Sequence, residues 1–247
     1  MKIAVVSDIH GNIWALKEVL RDIENKRIDL ILNLGDSLYG PLDPVGTAKI
    51  LMQSDIISIS GNEDEVIVDE NAGFENHQSL KFVRSEIRQK EIIDWINSLK
   101  HLYKNEFLIA FHGTLESNNK YLLEDITKGF PVIKSEDELQ EILNELNYKL
   151  ILCGHSHLPK LEKFNNKIIV NPGSVGLQAY FDDSLPKHYM ETNDPRASYA
   201  VVEITDKEVN VNHIKVEYDW QKASVIAEQN GRPDWAYSLT TGKAMKA

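Results

Sequence analysis

Five short apolar runs, residues 3–7, 30–34, 56–60, 107–111 and 150–153, punctuate the chain, and each ends in a polar cluster with a glycine beside it. They are too brief for helices, and the first is rich in β-branched residues, so they read as strands. After the first run the period changes. Ile13, Leu16, Val19, Leu20 and Ile23 share one helical face, with Asn12 placed as its N-cap, which predicts a β-α-β unit with right-handed crossovers. A turn-rich segment, Tyr39-Gly40-Pro41-Leu42-Asp43-Pro44, leads into a helical stretch at 45–52. The apolar stripe Leu80, Val83, Ile87, Ile92, Ile96 and Leu99 predicts one helix or two over 78–99. Residues 167–170 read as a strand, 198–204 and 209–218 as a strand pair around Asp206-Lys207, and 220–229 as a helix, whereas the polar segment 178–196 reads as an irregular loop near the active rim. These 247 residues fit one α/β domain, 1–247, with a helical insertion at about 78–100 and a C-terminal extension at about 218–247.

The strand ends carry the chemistry. Asp8-Ile9-His10 follows the first run, Gly35-Asp36 the second, Gly61-Asn62 the third, His112-Gly113 the fourth and Gly154-His155-Ser156-His157 the fifth. In α/β layers, sites form outside the carboxyl ends of the strands, which is where these residues fall. Imidazole, carboxylate and amide donors without a thiolate suit manganese, iron or zinc, with manganese or iron preferred. Seven ligands exceed what one tetrahedral ion takes. Two divalent ions sharing a carboxylate, roughly 3.5–4 Å apart, use them all, and a water held between such ions becomes a nucleophile for a phosphoryl group. Asp36 is the bridging candidate.

Taken in order and at their spacing, these five blocks resemble the signature blocks of the calcineurin-like metallophosphoesterase superfamily. The resemblance covers about residues 1–180 and implies an α/β fold, a four-layer α/β/β/α sandwich of two mixed sheets flanked by helices. It also implies that Asp8, His10, Asp36 and His157 hold one metal and that Asp36, Asn62, His112 and His155 hold the other. One block departs from the pattern. The family's third block reads Gly-Asn-His-Asp, its histidine protonating the leaving group, but here Glu63 stands in that place. Glu63 could substitute as the acid only with a raised pKa, and two nearby dications push that pKa down, so an ordinary solvated loop carboxylate is the favoured reading. An enzyme without this acid is expected to prefer leaving groups that depart as stable anions, such as a nucleotide phosphate, whose last pKa is about 6. This points to phosphodiesters or nucleotide phosphoanhydrides of the dinucleoside polyphosphate type. Small bacterial and archaeal phosphodiesterases and some asymmetrical dinucleoside polyphosphate hydrolases also lack the histidine. The alternatives are a phosphomonoesterase or protein phosphatase using another acid, and a binding scaffold on a phosphoesterase fold.

Further candidates are less specific. Tyr39 could stack on a base or simply pack, Gly173 and Ser174 could present N–H groups to phosphate or form a tight turn, and Arg196 could grip a phosphate. His77, His101, His188 and His213 lack partners at ligand spacing and read as structural or surface residues. Cys153 reads as a small core residue, and one cysteine excludes an intramolecular disulfide. With 27 basic and 38 acidic residues the net charge is −11, which repels nucleic-acid backbones, so the expected partner is a small phosphorylated substrate, a nucleotide above all. No apolar run approaches the ~20 residues of a membrane span, Met1-Lys2 leads directly into the first strand without a signal peptide, and the cytoplasm is the expected compartment. The C-terminal aromatics Trp235 and Tyr237 could form a homodimer contact or a lid.

Overall fold

The computed structural model describes residues 1–72 and 78–245; His77 lies outside them. The chain opens with β1 (Lys2–Val6), α1 (Ile13–Glu24), β2 (Leu30–Asn33), α2 (Pro44–Gln53), β3 (Ile56–Ser58) and a short α3 (Asn62–Val68). The apolar stripe at 78–99 forms two helices, α4 (Gln78–Glu86) and α5 (Lys90–Ser98). Next come β4 (Leu102–Lys104), β5 (Leu108–Phe111), the paired β6 (Glu124–Asp125) and β7 (Val132–Ile133), α6 (Glu136–Leu143), β8 (Leu150–Leu152), β9 (Lys160–Phe164) and β10 (Lys167–Asn171). The remainder is β11 (Ala179–Asp182), β12 (His188–Glu191), β13 (Ala197–Ile204), β14 (Val209–Val216), α7 (Trp220–Gln229) and α8 (Pro233–Thr241).

Two five-stranded mixed sheets form the centre, ordered β14-β13-β1-β2-β3 and β4-β5-β8-β10-β9. In each, three neighbouring strands run parallel (β1, β2, β3 and β5, β8, β10) while the other two strands add antiparallel. The alternation of side chains along the strands explains the layers. Ile3 and Val5 face Leu108, Leu150 and Leu152 in the core between the sheets, whereas Ala4 and Val6 turn outward onto α1, α2 and the C-terminal helices. Likewise Ile109, Phe111, Ile151 and Cys153 turn to the opposite side and pack on Leu139 and Leu143 of α6. Strands buried on both faces must be apolar at every position, which is why they appear as unbroken runs. The result is the four-layer α/β/β/α sandwich that the resemblance implies.

Two expectations change. Residues 178–196 are not an irregular loop: β11 and β12 pair as an antiparallel hairpin, Tyr180 opposite Met190, burying Met190 and His188 completely or nearly so. Local polarity hid it, because its alternate residues pack on the rest of the molecule rather than on each other. The C-terminal tail is helix α8, opened by Pro233 in its first turn, and Trp235 is buried rather than exposed.

The loops that leave the two parallel cores are stitched to one another. Asp8 and His10 donate their backbone N–H groups to Gly35 and Asp36 carbonyls at 3.0 and 2.9 Å, Gly154 donates to His112 O at 2.7 Å, and Val175 donates to Ser7 O at 3.0 Å. Asn12 belongs to this network: its side chain caps α1 by accepting from Ala15 N–H at 3.1 Å and donates to Gly176 O at 2.9 Å. Asn12→Ala therefore removes a cap and strands a buried carbonyl, for an expected loss of about 1–3 kcal/mol in urea denaturation. An unchanged midpoint would show that neither bond contributes.

Candidate metal centre

Five of the seven sequence-predicted ligands sit in left-handed backbone: Asp8 (φ 54°), His10 (51°), Asp36 (52°), His155 (69°) and His157 (59°). Non-glycine residues hold this conformation at a cost of about 1–3 kcal/mol each, and they keep it only where the surroundings impose it. Here the imposing contacts are the loop-to-loop bonds. Close approach also demands a glycine at 61, where a Cβ would collide with the Asp36 carboxylate and stand 2.5 Å from its backbone nitrogen.

The protonation of three imidazoles follows from their backbone partners. His10 Nδ1 lies 3.0 Å from Tyr39 O, His112 Nδ1 2.9 Å from Leu34 O and His157 Nδ1 2.6 Å from Leu177 O. A carbonyl only accepts, so each Nδ1 carries the hydrogen and each neutral ring turns a bare Nε2 lone pair to the site. His10 Nε2 and His157 Nε2 are 3.1 Å apart, and His112 Nε2 faces Asn62 Oδ1 at 3.0 Å and Asp36 Oδ2 at 3.2 Å. Asp8 is fully buried with neither carboxylate oxygen hydrogen-bonded, although His157 Nε2 approaches Oδ1 to 3.3 Å. Acceptors thus face acceptors with no donor between them.

Only cations can reconcile such a set. Ligand atoms within 4.8 Å of one another form the groups Asp8/His10/His157, Asp36/His112/His155 and His10/Asp36/Glu63. The first two have the donor mixture that borderline and hard divalent ions take, Asp36 lies beside both, and Asn62 joins the second through His112. Without an ion, protons fill the role: burial alone would lower the imidazoles, but Glu63, Asp36 and Asp8 raise His10 to about 9, and chiefly Asp36 raises His112 to about 10. Burial and the neighbouring His112 charge push His155 down to about 3. Burial opposes ionisation of Asp8 and Asp36, yet the histidines around them hold both below the usual carboxylate range.

Glu63 is not a solvated loop residue. Its side chain is 27% exposed, Oε2 lies 3.1 Å from His10 Nδ1, and its own N–H donates to Asp36 Oδ1 at 2.9 Å. Because His10 gives its Nδ1 hydrogen to Tyr39 O, Glu63 Oε2 is left without a hydrogen bond. The next residue, Asp64, was not singled out by sequence, and it ties two ligand loops together by accepting from Ser37 N–H at 2.9 Å and Gly61 N–H at 3.1 Å. Burial and the Asp36 charge push its pKa up to about 7.

The ligands open into a cleft of about 470 Å³ whose walls include Tyr39, Tyr180, Phe181, Arg232 and Trp235. Tyr39 lines the cleft while most of its side chain packs in the core. Gly173 and Ser174 form a structural turn: Gly173 N–H is taken by Asn171 Oδ1, and the Ser174 hydroxyl donates to Asp8 O while accepting from Leu177 N–H. Their polar groups are spent on holding the Asp8 loop, and neither residue lines the cleft. Arg196 is away from the cleft too, with its guanidinium forked onto Asp194 at 3.0 and 2.8 Å. Arg232 escaped the sequence reading, its one local signal being the proline that follows it, a helix opener, and Trp235, read as an exposed tail aromatic, is instead buried in the cleft wall.

Residues 1–207 match the model of the calcineurin-like phosphoesterase superfamily domain. The chain belongs to this superfamily. It is therefore a metal-dependent phosphoester hydrolase by family. An uncharacterized protein of Methanocaldococcus jannaschii is 28% identical, the alignment covering 94% of each chain. Among solved structures, a metallophosphoesterase from Sphaerobacter thermophilus superposes with a TM-score of 0.76 at 22% identity, covering 98% of this chain and all of that one. A hypothetical protein from Pyrococcus horikoshii OT3 gives the same TM-score at 19% identity, covering 100% and 99%.

The charged imidazoles of the metal-free phosphoesterase make ion binding proton-linked. His10 and His112 have folded pKa values above the ordinary 6.5, so the stability they contribute is complete below pH 6.5 and is lost as pH rises through about 9 and 10. The metal-free protein is expected to melt at lower temperature as pH rises from 7 to 10, while Mn²⁺ affinity rises over the same window and binding at pH 7.5 releases protons. Calorimetry in buffers of different ionisation enthalpy measures that release, and none would contradict the charge states given above.

Proposed function

We propose that this phosphoesterase hydrolyses phosphodiesters or nucleotide phosphoanhydrides at a dinuclear centre in which Asp8, His10, Asp36 and His157 hold one divalent ion and Asp36, Asn62, His112 and His155 hold the other. The convergence of acceptor atoms without donors carries the dinuclear assignment. Manganese is the preferred ion, because neutral imidazole and carboxylate oxygen in comparable number suit it better than a purely oxygen or sulfur-rich set would. Ions bound there would supply Lewis acidity to a phosphoryl group and lower the pKa of a nearby water.

The chain's own residues set the preference among substrates. Backbone carbonyls keep His10, His112 and His157 in one tautomer and orientation, and the Glu63 N–H fixes Asp36 Oδ1 so that Oδ2 faces the second histidine group. Glu63 stands where a proton donor would assist a poor leaving group, and burial raises its pKa, but two ions held beside it would favour the carboxylate and withdraw that proton. Phosphate or aryl-oxide leaving groups need no such donor.

A second reading, monoester hydrolysis with a different acid, draws on one observation. Tyr121 OH lies 2.8 Å from both Tyr180 OH and His188 Nε2, and Tyr180 OH donates to the backbone carbonyl of His155 at 3.1 Å, so a hydrogen-bonded chain reaches the candidate ligand loop. Rates on bis(p-nitrophenyl) phosphate, an alkyl phosphomonoester and a dinucleoside polyphosphate, with Mn²⁺ and after chelation, separate the two. Diester and anhydride turnover is expected to exceed alkyl-monoester turnover and to vanish on chelation; a faster alkyl monoester would overturn the first reading. Asp36→Asn is expected to lose bound metal and more than about a hundredfold in activity, whereas Glu63→Gln should change anhydride hydrolysis by less than about threefold.

A further inference from the structure

The cleft wall contains one lysine or arginine among the described residues, Arg232, while Glu63, Asp182 and Asp183 also line it. Beyond the ligand cluster and these carboxylates the rest of the wall is aromatic or neutral, so the guanidinium is its one fixed positive charge among the described residues. Arg232 lies outside the segment that matches the superfamily model, 25 residues past its end at 207, yet the fold carries it to the site. The turn before α8 is fastened on two sides: Asn230 Nδ2 donates to Pro41 O at 2.7 Å, in the loop that follows Asp36, and Gln78 Nε2 of α4 donates to Asn230 O at 3.2 Å.

The guanidinium is oriented before any ligand arrives. Nε and Nη2 fork onto Asp234 at 2.8 and 2.6 Å, and Nη1 donates to the fully buried Ser79 hydroxyl. These bonds use three of its five N–H donors, leaving two for a ligand. Its Cζ stands 5.3 Å from the Trp235 ring, which in turn meets the His10 ring edge-on at 5.6 Å. One indole therefore contacts both the guanidinium and His10, and Gly40 packs against the Cζ3–Cη2 edge of that indole beside His10 O. The guanidinium and His10 thus line the same cleft with the Trp235 indole in contact with both.

We infer that Arg232, fixed by Asp234 and Ser79, recognises a second phosphoryl group attached to the one being hydrolysed, so the cleft selects phosphoanhydride chains over simple phosphodiesters. This inference rests on the function proposed above and narrows it to substrates with adjacent phosphoryl groups. Trp235 acts as a positioning residue that sets the spacing between the guanidinium and His10.

ADP and AMP are the probes, since they differ only in the second phosphoryl group. Calorimetric titration of the Mn²⁺-loaded protein is expected to show ADP bound about tenfold more tightly than AMP, the size of a charge-assisted pair of hydrogen bonds. Arg232→Ala should bring the two affinities within about twofold of each other, and Arg232→Lys, which keeps the charge without the fork, should lose most of the preference and serves if the alanine variant does not fold. An ADP to AMP ratio that is already near one in the unaltered protein, or that survives both substitutions, overturns the role of Arg232. Turnover of bis(p-nitrophenyl) phosphate by the unaltered protein is read in parallel: its presence alongside an unchanged ratio removes only the inference about Arg232, whereas failure to hydrolyse any diester or anhydride removes the broader reading.

Discussion

Lone pairs facing lone pairs organise this molecule. Three imidazoles are committed by backbone carbonyls to present Nε2 inward, and they meet buried carboxylates and an amide oxygen that bring no hydrogen of their own. Burying that many acceptors together is unfavourable unless positive charge lies among them. Protons supply the charge in the metal-free state and divalent ions satisfy it better, so the same constraint accounts for the raised imidazole pKa values and for the metal chemistry of the superfamily.

Holding such a set requires rigid support, and the sandwich provides it. The parallel strands of both sheets end at one rim, and their loops bond to each other rather than to solvent. Five candidate ligands are thereby kept in left-handed backbone that would otherwise relax. Asp64 illustrates the cost: it is a fully buried carboxylate whose two oxygens serve the loops of Asp36 and Asn62, and burial beside Asp36 lifts its pKa. The hairpin β11–β12 and helix α8 complete the walls with Tyr180, Phe181, Arg232 and Trp235, none of which contributes to the ligand set. The candidate ion ligands and these added cleft walls are thus delivered by different parts of the chain.

Legibility followed the range of the interactions. Strands β1, β2, β5 and β8 were plain because burial on both faces forces unbroken apolar runs, and α1 and α7 were plain because caps and periodicity are local. The hairpin at 179–191 was missed because one of the alternate residues that β12 buries is polar, His188, so its buried face does not read as apolar alternation. Gly173, Ser174 and Arg196 had the right chemistry for phosphate, but the fold places none of them on the cleft wall, which residue type alone does not reveal.

The sequence by itself determined the ligand types, their order at the strand ends, the family and the absence of histidine at position 63, because each of these is a property of residues within a few positions of one another. Tertiary structure decided which atoms face each other. It brought Glu63 against His10 instead of solvent and set Arg232 and Trp235 beside ligands more than 200 residues earlier in the chain. Contacts of that range depend on how two sheets, a hairpin and a C-terminal helix pack together, and no local pattern encodes them.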